Sequence, residues 1–193
     1  RFTAWVAREG GKQVWLPALA YGDCGRAAQA WKFERVGDPA RAHLAWLCEP
    51  SSPLGQAEPM AQGVASSGAP VVLDRAYEPL RLSGRCSLDP ATLQGVWQLW
   101  TPNKAMGLTG VRGAYAIAPE RALAEARALD QLAPSWPLGA HAVALLDAWV
   151  SPAAQDWLAL SLQTLRAWKA EQRALLAELD WTVLPCDANY FCA

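Results

Sequence analysis

The stretch Pro70-Val71-Val72-Leu73-Asp74-Arg75-Ala76-Tyr77 ends a short apolar run with a carboxylate and a phenol. A run of this length and composition predicts a buried strand of a sheet. In parallel sheets with crossover helices, ligands bind at the carboxyl ends of the strands. The stretch therefore predicts an α/β fold in which Asp74 lies at the ligand-binding edge of a sheet.

Other apolar runs along the chain resemble this strand, and helix-like stretches lie between several of them. We predict strands at 13–16, 42–48, 70–74, 95–100 and 113–117, with crossover helices at 25–33 and 58–65. Strand–helix–strand units favour a mostly parallel sheet. Cys48 and Trp100 end their strands as Asp74 does, so segments that could form a site gather at one edge.

The second half of the chain has a helical pattern from Pro119 onward. Helices are predicted at 120–132, 141–150 and 152–179, the last of which has proline at its first position. Short strands are predicted at 181–184 and 189–192. We expect residues 1–150 to form a large domain, and residues 151–193 to form a linking helix and the start of a smaller α+β domain.

The start of the chain also bears on its organisation. Arg1 stands inside an apparent helix, with neither a capping residue nor an initiator methionine before it. We therefore expect the sequence to be an internal piece of a longer protein.

Composition excludes several classes of function. The 193 residues are 52% hydrophobic and 18% charged, with a net charge of -1, and no apolar run approaches the length of a membrane span. No block of lysine and arginine offers a surface for nucleic acid or anionic lipid. We expect neither a nucleic-acid partner nor a membrane, and a small molecule as the ligand.

Cysteine and histidine usage narrows the chemistry further. The five cysteines are scattered, form no C-x-x-C pair, and follow no signal peptide, which indicates reduced thiols and a cytoplasmic location. His43 and His141 have no partner at metal-ligand spacing, so we predict no metal site. Most of the eleven tryptophans stand in apolar segments, which favours packing over the stacking of bases or sugars.

A lysine in a Gly-rich turn is the strongest functional signal. It stands in Thr101-Pro102-Asn103-Lys104-Ala105-Met106-Gly107-Leu108-Thr109-Gly110-Val111-Arg112, about thirty residues after Asp74. Together with Asp74-x-Ala76-Tyr77, this motif resembles the cofactor site of the fold-type I pyridoxal-phosphate enzymes of the class I and II aminotransferase family. The resemblance implies a three-layer α/β/α large domain around a mostly parallel sheet, with pyridoxal phosphate bound covalently by Lys104.

The resemblance also implies a role for each neighbouring residue. Asp74 would pair with the ring nitrogen of the cofactor, and Tyr77 would donate to its phenolate oxygen. Arg112 and the hydroxyl of Thr101 would bind the phosphate, to which Asn103 can also donate.

Two further segments are similar to parts of the same site. The stretch from Glu49 to Gly55 resembles the family's N-P-x-N-P-x-G turn, but Ser52 stands where the second asparagine normally bonds the phenolate oxygen. Tyr21 stands in a segment where the family has a tyrosine near the cofactor or, across a dimer interface, near the substrate phosphate. Ordinary loop packing explains Tyr21 equally well.

Two stretches indicate a branch of the family. Residues 134–141 and 187–191 are similar to segments in histidinol-phosphate aminotransferases and threonine-phosphate decarboxylases. We expect a homodimer acting on a small phosphorylated amino acid, by preference the decarboxylation of L-threonine O-3-phosphate in cobalamin synthesis. Histidinol-phosphate aminotransferase is the alternative, since the motifs do not separate decarboxylation from transamination.

Two rival hypotheses remain. Ser52 and Asn103, at positions that are usually stricter, suggest a non-catalytic relative that keeps the fold. A nucleotide-binding α/β domain has only the strand pattern in its favour, because no Gly-rich turn follows the first strand. The resemblance also places the phosphate turn and the ring-stacking residue before Arg1, and the arginine for the substrate carboxylate after Ala193. The piece alone should therefore bind the cofactor poorly.

Overall fold

A central sheet of six strands organises the protein, and the computed structural model describes all residues 1–193. The strands are β1 (Gln13–Trp15), β2 (Glu34–Arg35), β3 (Leu44–Cys48), β4 (Val71–Asp74), β5 (Trp97–Trp100) and β6 (Tyr115–Ile117). Their order is β2-β1-β3-β4-β5-β6, and only the β5–β6 pair is antiparallel. The mostly parallel sheet is confirmed; β2 is an additional strand that the sequence pattern did not predict.

The register of the strands brings their carboxyl ends together. Cys48 at the end of β3 pairs with Asp74 at the end of β4, and Asp74 pairs in turn with Leu99 of β5. Strands are less than 5 Å apart in the hydrogen-bonding direction. The loops that follow these strands therefore open at one edge of the sheet.

The helices cover the sheet and form a C-terminal pair. They are α1 (Phe2–Arg8), α2 (Gly22–Ala30), α3 (Ala61–Ala65), α4 (Pro90–Leu93), α5 (Leu123–Asp130), α6 (Ala140–Trp149) and α7 (Pro152–Glu178), with 3-10 turns at Pro39–Arg41 and Glu78–Leu80. Helix α7 begins as predicted: Pro152 follows Ser151, whose hydroxyl accepts a hydrogen bond from the Ala154 amide at 3.2 Å. Helix α3 is shorter than predicted. None of the helices combines the length and hydrophobicity that crossing a membrane requires.

Each face of the sheet has its own apolar core, which produces three layers. Successive residues of a strand point to opposite faces. Val14, Leu44 and Val72 accordingly pack with α1, α2 and α5, whereas Ala45 and Val71 pack with α3 on the other face. The alternation confirms the three-layer α/β/α arrangement.

The segment after α7 departs from the prediction. The expected strands at 181–184 and 189–192 are wrong: the Leu184 amide donates to the carbonyl of Cys192 at 2.9 Å, but no ladder follows, and Asp187 between the two ranges bonds to loops after β3 and β4. The amide of Asp187 donates to the carbonyl of Gly55 at 2.7 Å, and the amide of Leu82 donates to the carbonyl of Asp187 at 2.6 Å. We call residues 184–192 the C-terminal segment.

The tryptophans divide between the core and the surface. Trp5, Trp15 and Trp97 are buried, as the packing interpretation expects. Five others are exposed, namely Trp31, Trp136, Trp157, Trp168 and Trp181. Packing within the chain therefore explains only part of the tryptophan content.

Candidate active site

A cavity of about 360 Å³ opens at the carboxyl edge of the sheet. The loop after β1, the ends of β3, β4 and β5, and the loop before β6 form its wall. Seven of the eight site residues predicted from the sequence line it: Tyr21, Ser52, Asp74, Tyr77, Thr101, Lys104 and Arg112. Asn103 is the one that the structure does not bring there.

Lys104 and Tyr77 form the centre of this wall. The Nζ atom of Lys104 lies 4.4 Å from the centroid of the Tyr77 ring, which is the geometry of a cation–π contact. Burial raises the pKa of the Tyr77 hydroxyl. The phenol therefore remains protonated and able to donate a hydrogen bond at neutral pH.

Asp74 presents one carboxylate oxygen that no protein group satisfies. Its Oδ1 accepts a hydrogen bond from the Ala76 amide at 2.9 Å, whereas Oδ2 has no donor in the protein. Burial raises the pKa of this carboxyl, and the Ala76 hydrogen bond and the Lys104 charge oppose that shift. A cationic N–H group in the cavity would find a ready acceptor at Oδ2.

The loop between β5 and β6 is closed by its own polar side chains. The Thr101 hydroxyl lies 2.7 Å from the carbonyl oxygen of Gly113 and 3.0 Å from Asn103 Oδ1. The buried Asn103 amide group donates to the carbonyl of Val111 at 3.4 Å. Asn103 thus ties the loop together from behind the cavity, in place of the predicted approach to a phosphate.

Arg112 is the free cation of the site. Its guanidinium is exposed, forms no ion pair, and has a single long contact of 3.4 Å to the carbonyl of Thr109. A guanidinium in this state can bind an anionic group without first losing a partner.

The turn that carries Ser52 rests on a buried ionic group. Glu49 is 1% exposed and accepts hydrogen bonds from the Ser87 amide at 2.8 Å and from Arg81 Nη2 at 3.3 Å. Arg81 also pairs with Glu78 at 2.8 Å. Sequence analysis missed Glu49 and Arg81, although Glu49 stands at the first asparagine of the N-P-x-N-P-x-G pattern, which was a usable signal.

Two cysteines next to the carboxylate also escaped the sequence analysis as site residues. Cys48 lines the cavity, and Cys24 lies nearby in α2. Burial raises the pKa of both thiols to about 12, and the Asp74 charge adds to the shift. Both groups therefore remain protonated and uncharged at neutral pH, which makes them weak nucleophiles.

The three-layer arrangement around a mostly parallel sheet is the fold of the pyridoxal-phosphate-dependent transferases of fold type I. The chain matches the family described as "Aminotransferase class I and II" over residues 4–193, and it belongs to this family. Family members are enzymes that use pyridoxal phosphate. No match was found among curated proteins.

Solved structures with the same fold are similar to this chain at low sequence identity. Histidinol-phosphate aminotransferase from Sinorhizobium meliloti, in complex with pyridoxal-5'-phosphate, has a TM-score of 0.78 at 21% identity, with 98% of this chain and 58% of that chain covered. L-threonine-O-3-phosphate decarboxylase from Porphyromonas gingivalis has a TM-score of 0.75 at 17% identity, with coverage of 98% and 62%. N-succinyldiaminopimelate aminotransferase from Mycobacterium tuberculosis has a TM-score of 0.75 at 19% identity, with coverage of 98% and 57%. The chain thus spans less than two thirds of these proteins, and the likeness at these identities is one of fold.

The residues of the cavity fit pyridoxal phosphate. The cofactor requires an amine for its aldehyde, a carboxylate for its ring nitrogen and cationic groups for its phosphate. Lys104, Asp74 with its unsatisfied Oδ2, and the unpaired Arg112 supply these groups around one cavity. The unusual residues Ser52 and Asn103 leave the amine, the carboxylate and the cationic group in place.

Proposed function

We propose that this cavity binds pyridoxal phosphate and converts a phosphorylated amino acid, by preference through the decarboxylation of L-threonine O-3-phosphate. The observation that carries the proposal is the convergence of Lys104, the unsatisfied Asp74 oxygen and the unpaired Arg112 on one cavity. The similarity to a threonine-phosphate decarboxylase supports the preferred reaction. The similarity to a histidinol-phosphate aminotransferase supports the alternative.

The family resemblance gives each residue a role that its chemistry can fulfil. When bound, pyridoxal phosphate supplies an electron sink for the charge that develops at the substrate α-carbon. Asp74 holds the proton on the ring nitrogen, and Tyr77 and Ser52 donate hydrogen bonds to the phenolate oxygen. Arg112 would bind the phosphate, as would Thr101 once its hydroxyl turns from the carbonyl of Gly113. Lys104 Nζ would hold the aldehyde and move a proton to or from the α-carbon.

The choice between the two reactions depends on substrate orientation. Decarboxylation breaks the bond from the α-carbon to the carboxylate, whereas transamination breaks the bond to hydrogen. Groups that grip the substrate carboxylate and phosphate set this orientation. Lys104 and Asp74 serve either reaction, so activity must be measured first with L-threonine O-3-phosphate and then with histidinol phosphate.

Assembly and location belong to the same proposal. We expect a homodimer, as in the family resemblance, and a reduced cytoplasmic location. All five cysteines are free thiols, which is compatible with a reducing compartment. A small phosphorylated amino acid is the expected partner.

The test measures carbon dioxide release from L-threonine O-3-phosphate by the full-length protein in the presence of pyridoxal phosphate, alongside borohydride reduction and peptide mapping of the same protein. We expect Lys104 to carry the pyridoxyl label and Lys104→Ala to abolish release. Lys12→Ala, which removes an exposed lysine outside the cavity, should leave both unchanged.

The outcomes separate the rival hypotheses. A labelled Lys104 without carbon dioxide release would favour the aminotransferase, with histidinol phosphate as the next substrate. Absence of label from Lys104 would refute the enzymatic role and favour a non-catalytic relative that retains the fold.

A further inference from the structure

Tyr190 of the C-terminal segment joins two walls of the cavity. Its hydroxyl donates to the carbonyl of Ser51 at 2.6 Å, in the turn that carries Ser52. Its ring packs edge-on against Tyr77, with centroids 4.8 Å apart and planes at 68°. One side chain therefore touches both the turn after β3 and the loop after β4.

The contact with Tyr77 extends to the lysine. Lys104 Nζ lies over the ring of Tyr77, and the ring of Tyr190 forms a T-shaped pair with the same Tyr77 ring. Edge-to-face pairs and cation–π contacts both require a defined ring orientation. Tyr190, Tyr77 and Lys104 thus form a continuous stack that ends in the cavity.

The segment that carries Tyr190 is held independently of this stack. Lys169 of α7 donates to the carbonyls of Cys186 and Ala188, both at 2.6 Å. Asp187 accepts a hydrogen bond from Ser83 at 2.7 Å and lies 3.5 Å from Arg81 Nη1. Removing the Tyr190 ring should therefore leave the C-terminal segment docked.

We propose that Tyr190 is a positioning residue of the cofactor site, which fixes the Tyr77 ring, and through it Lys104, relative to the Ser51–Ser52 turn. The inference rests on the proposed function in one respect: Tyr77 and Ser52 are the two groups assigned to the phenolate oxygen. Tyr190 itself does not line the cavity. It acts on the site only through Tyr77 and the carbonyl of Ser51.

The test uses competitive labelling of the four lysines with an acylating reagent in the cofactor-free protein. Lys12 and Lys32 are exposed and serve as internal references. The labelling rate of Lys169 shows whether the C-terminal segment stays docked. The labelling rate of Lys104 shows whether Lys104 keeps its contact with the Tyr77 ring. Tyr190→Leu and Tyr190→Met both remove the ring; the two replacements have similar volumes, and the flexible methionine side chain can fill an irregular gap, so an effect common to both comes from loss of the ring.

In both ring-removing variants we expect Lys104 to react about two- to fivefold faster than in the wild type, the factor equivalent to one cation–π contact. Lys169 should react at the wild-type rate. Tyr190→Phe keeps the ring and should bring Lys104 back to within about a factor of two of the wild type. Tyr115→Leu, which removes an exposed tyrosine of β6 outside the cavity, should change no lysine.

Two labelling results would overturn the proposal. An unchanged Lys104 rate with Lys169 protected would show that Tyr190 does not hold Tyr77. A rise of Lys104 and Lys169 together in both variants would show that the ring serves only to dock the segment.

A spectroscopic measurement with added pyridoxal phosphate links the stack to the cofactor. Moving Tyr77 should shift the visible absorption maximum of the bound cofactor in Tyr190→Leu and leave it unchanged in Tyr115→Leu. An unshifted maximum would also overturn the proposal. If the full-length wild type takes up no cofactor, the proposed function fails, while lysine labelling of the cofactor-free protein still tests Tyr190 on its own.

Discussion

Replacing Gly55 with alanine should release the C-terminal segment from the turn beneath it. Gly55 has a φ of +68°, in the left-handed region that favours glycine. A Cβ atom there would overlap with Cys186 Sγ and would lie 3.3 Å from both Ala188 Cβ and Tyr190 Cε2. The left-handed conformation costs alanine roughly 1–2 kcal/mol, and the overlap roughly 1–3 kcal/mol more, so the free energy of unfolding should fall by about 2–5 kcal/mol.

Gly107 provides a matched control for the backbone contribution. Its φ is +67°, and a Cβ atom there would meet nothing within 4 Å. Gly107→Ala should therefore lower the free energy of unfolding by only the roughly 1–2 kcal/mol that the left-handed conformation costs alanine. Urea denaturation of the two variants, read by circular dichroism, gives the steric share as the difference between them.

A double-mutant cycle tests whether the steric cost of Gly55→Ala comes from the contact with Cys186 Sγ. Cys186→Ala removes the sulfur that the new Cβ would meet, so Gly55→Ala should be less costly in that background by about 1–3 kcal/mol. The reasoning is refuted if Gly55→Ala destabilises the protein no more than Gly107→Ala does. It is equally refuted if Cys186→Ala leaves the cost of Gly55→Ala unchanged.

Two other predictions concern buried ionisable groups around the cavity. Because burial raises the pKa of Asp74, its carboxylate is penalised in the folded state at neutral pH, and Asp74→Asn should leave the urea stability at pH 7 equal or higher. The same change should weaken pyridoxal-phosphate binding about tenfold to 150-fold, measured by absorbance titration, since one charge-assisted hydrogen bond is lost; unchanged affinity would contradict the role of Asp74. For Cys24 and Cys48, the pKa rises from the ordinary value of 9.0 to about 12, so the stability that they contribute is complete below pH 9 and is lost as the pH rises toward 12. Urea denaturation below and above pH 9 should show a smaller loss in the Cys24→Ala/Cys48→Ala variant than in the wild type, and equal losses would show that neither thiol is buried as described.

The strands that form the site could be predicted because their residues are continuously apolar. Val71 to Leu73 bury side chains on both faces of the sheet, and Asp74 marks the end of the run. Strand β2 lacks this signal because Glu34 and Arg35 are both exposed. Backbone hydrogen bonds along β1 define it: the Val36 amide donates to the carbonyl of Val14 at 3.0 Å, and the Glu34 amide donates to the carbonyl of Lys12, just before β1, at 2.7 Å. The side-chain pattern of the sequence does not predict such a strand.

The candidate site, like the sheet, could be predicted from the sequence only in part. The family resemblance pointed to Lys104 and Asp74 because each stands in a short motif of its own and the two motifs have the family's spacing of about thirty residues. The position of Asn103 depends on how its loop closes, and its amide turns to the carbonyl of Val111 instead of the cavity. Tyr190 contacts Tyr77 from the far end of the chain, a pairing that depends on three-dimensional packing.

The distance along the chain between Tyr77 and Tyr190 has a consequence for synthesis. The residues of this sequence that line the cavity lie between Tyr21 and Ala114, so the ribosome delivers them at least 76 residues before it delivers Tyr190 (190 minus 114). At about 5–20 residues per second, this interval lasts roughly 4–16 s. During it, the nascent chain carries Lys104 and Tyr77 without their edge-on neighbour. The contact between Tyr190 and Tyr77 therefore forms only after the residues that line the cavity have been synthesised.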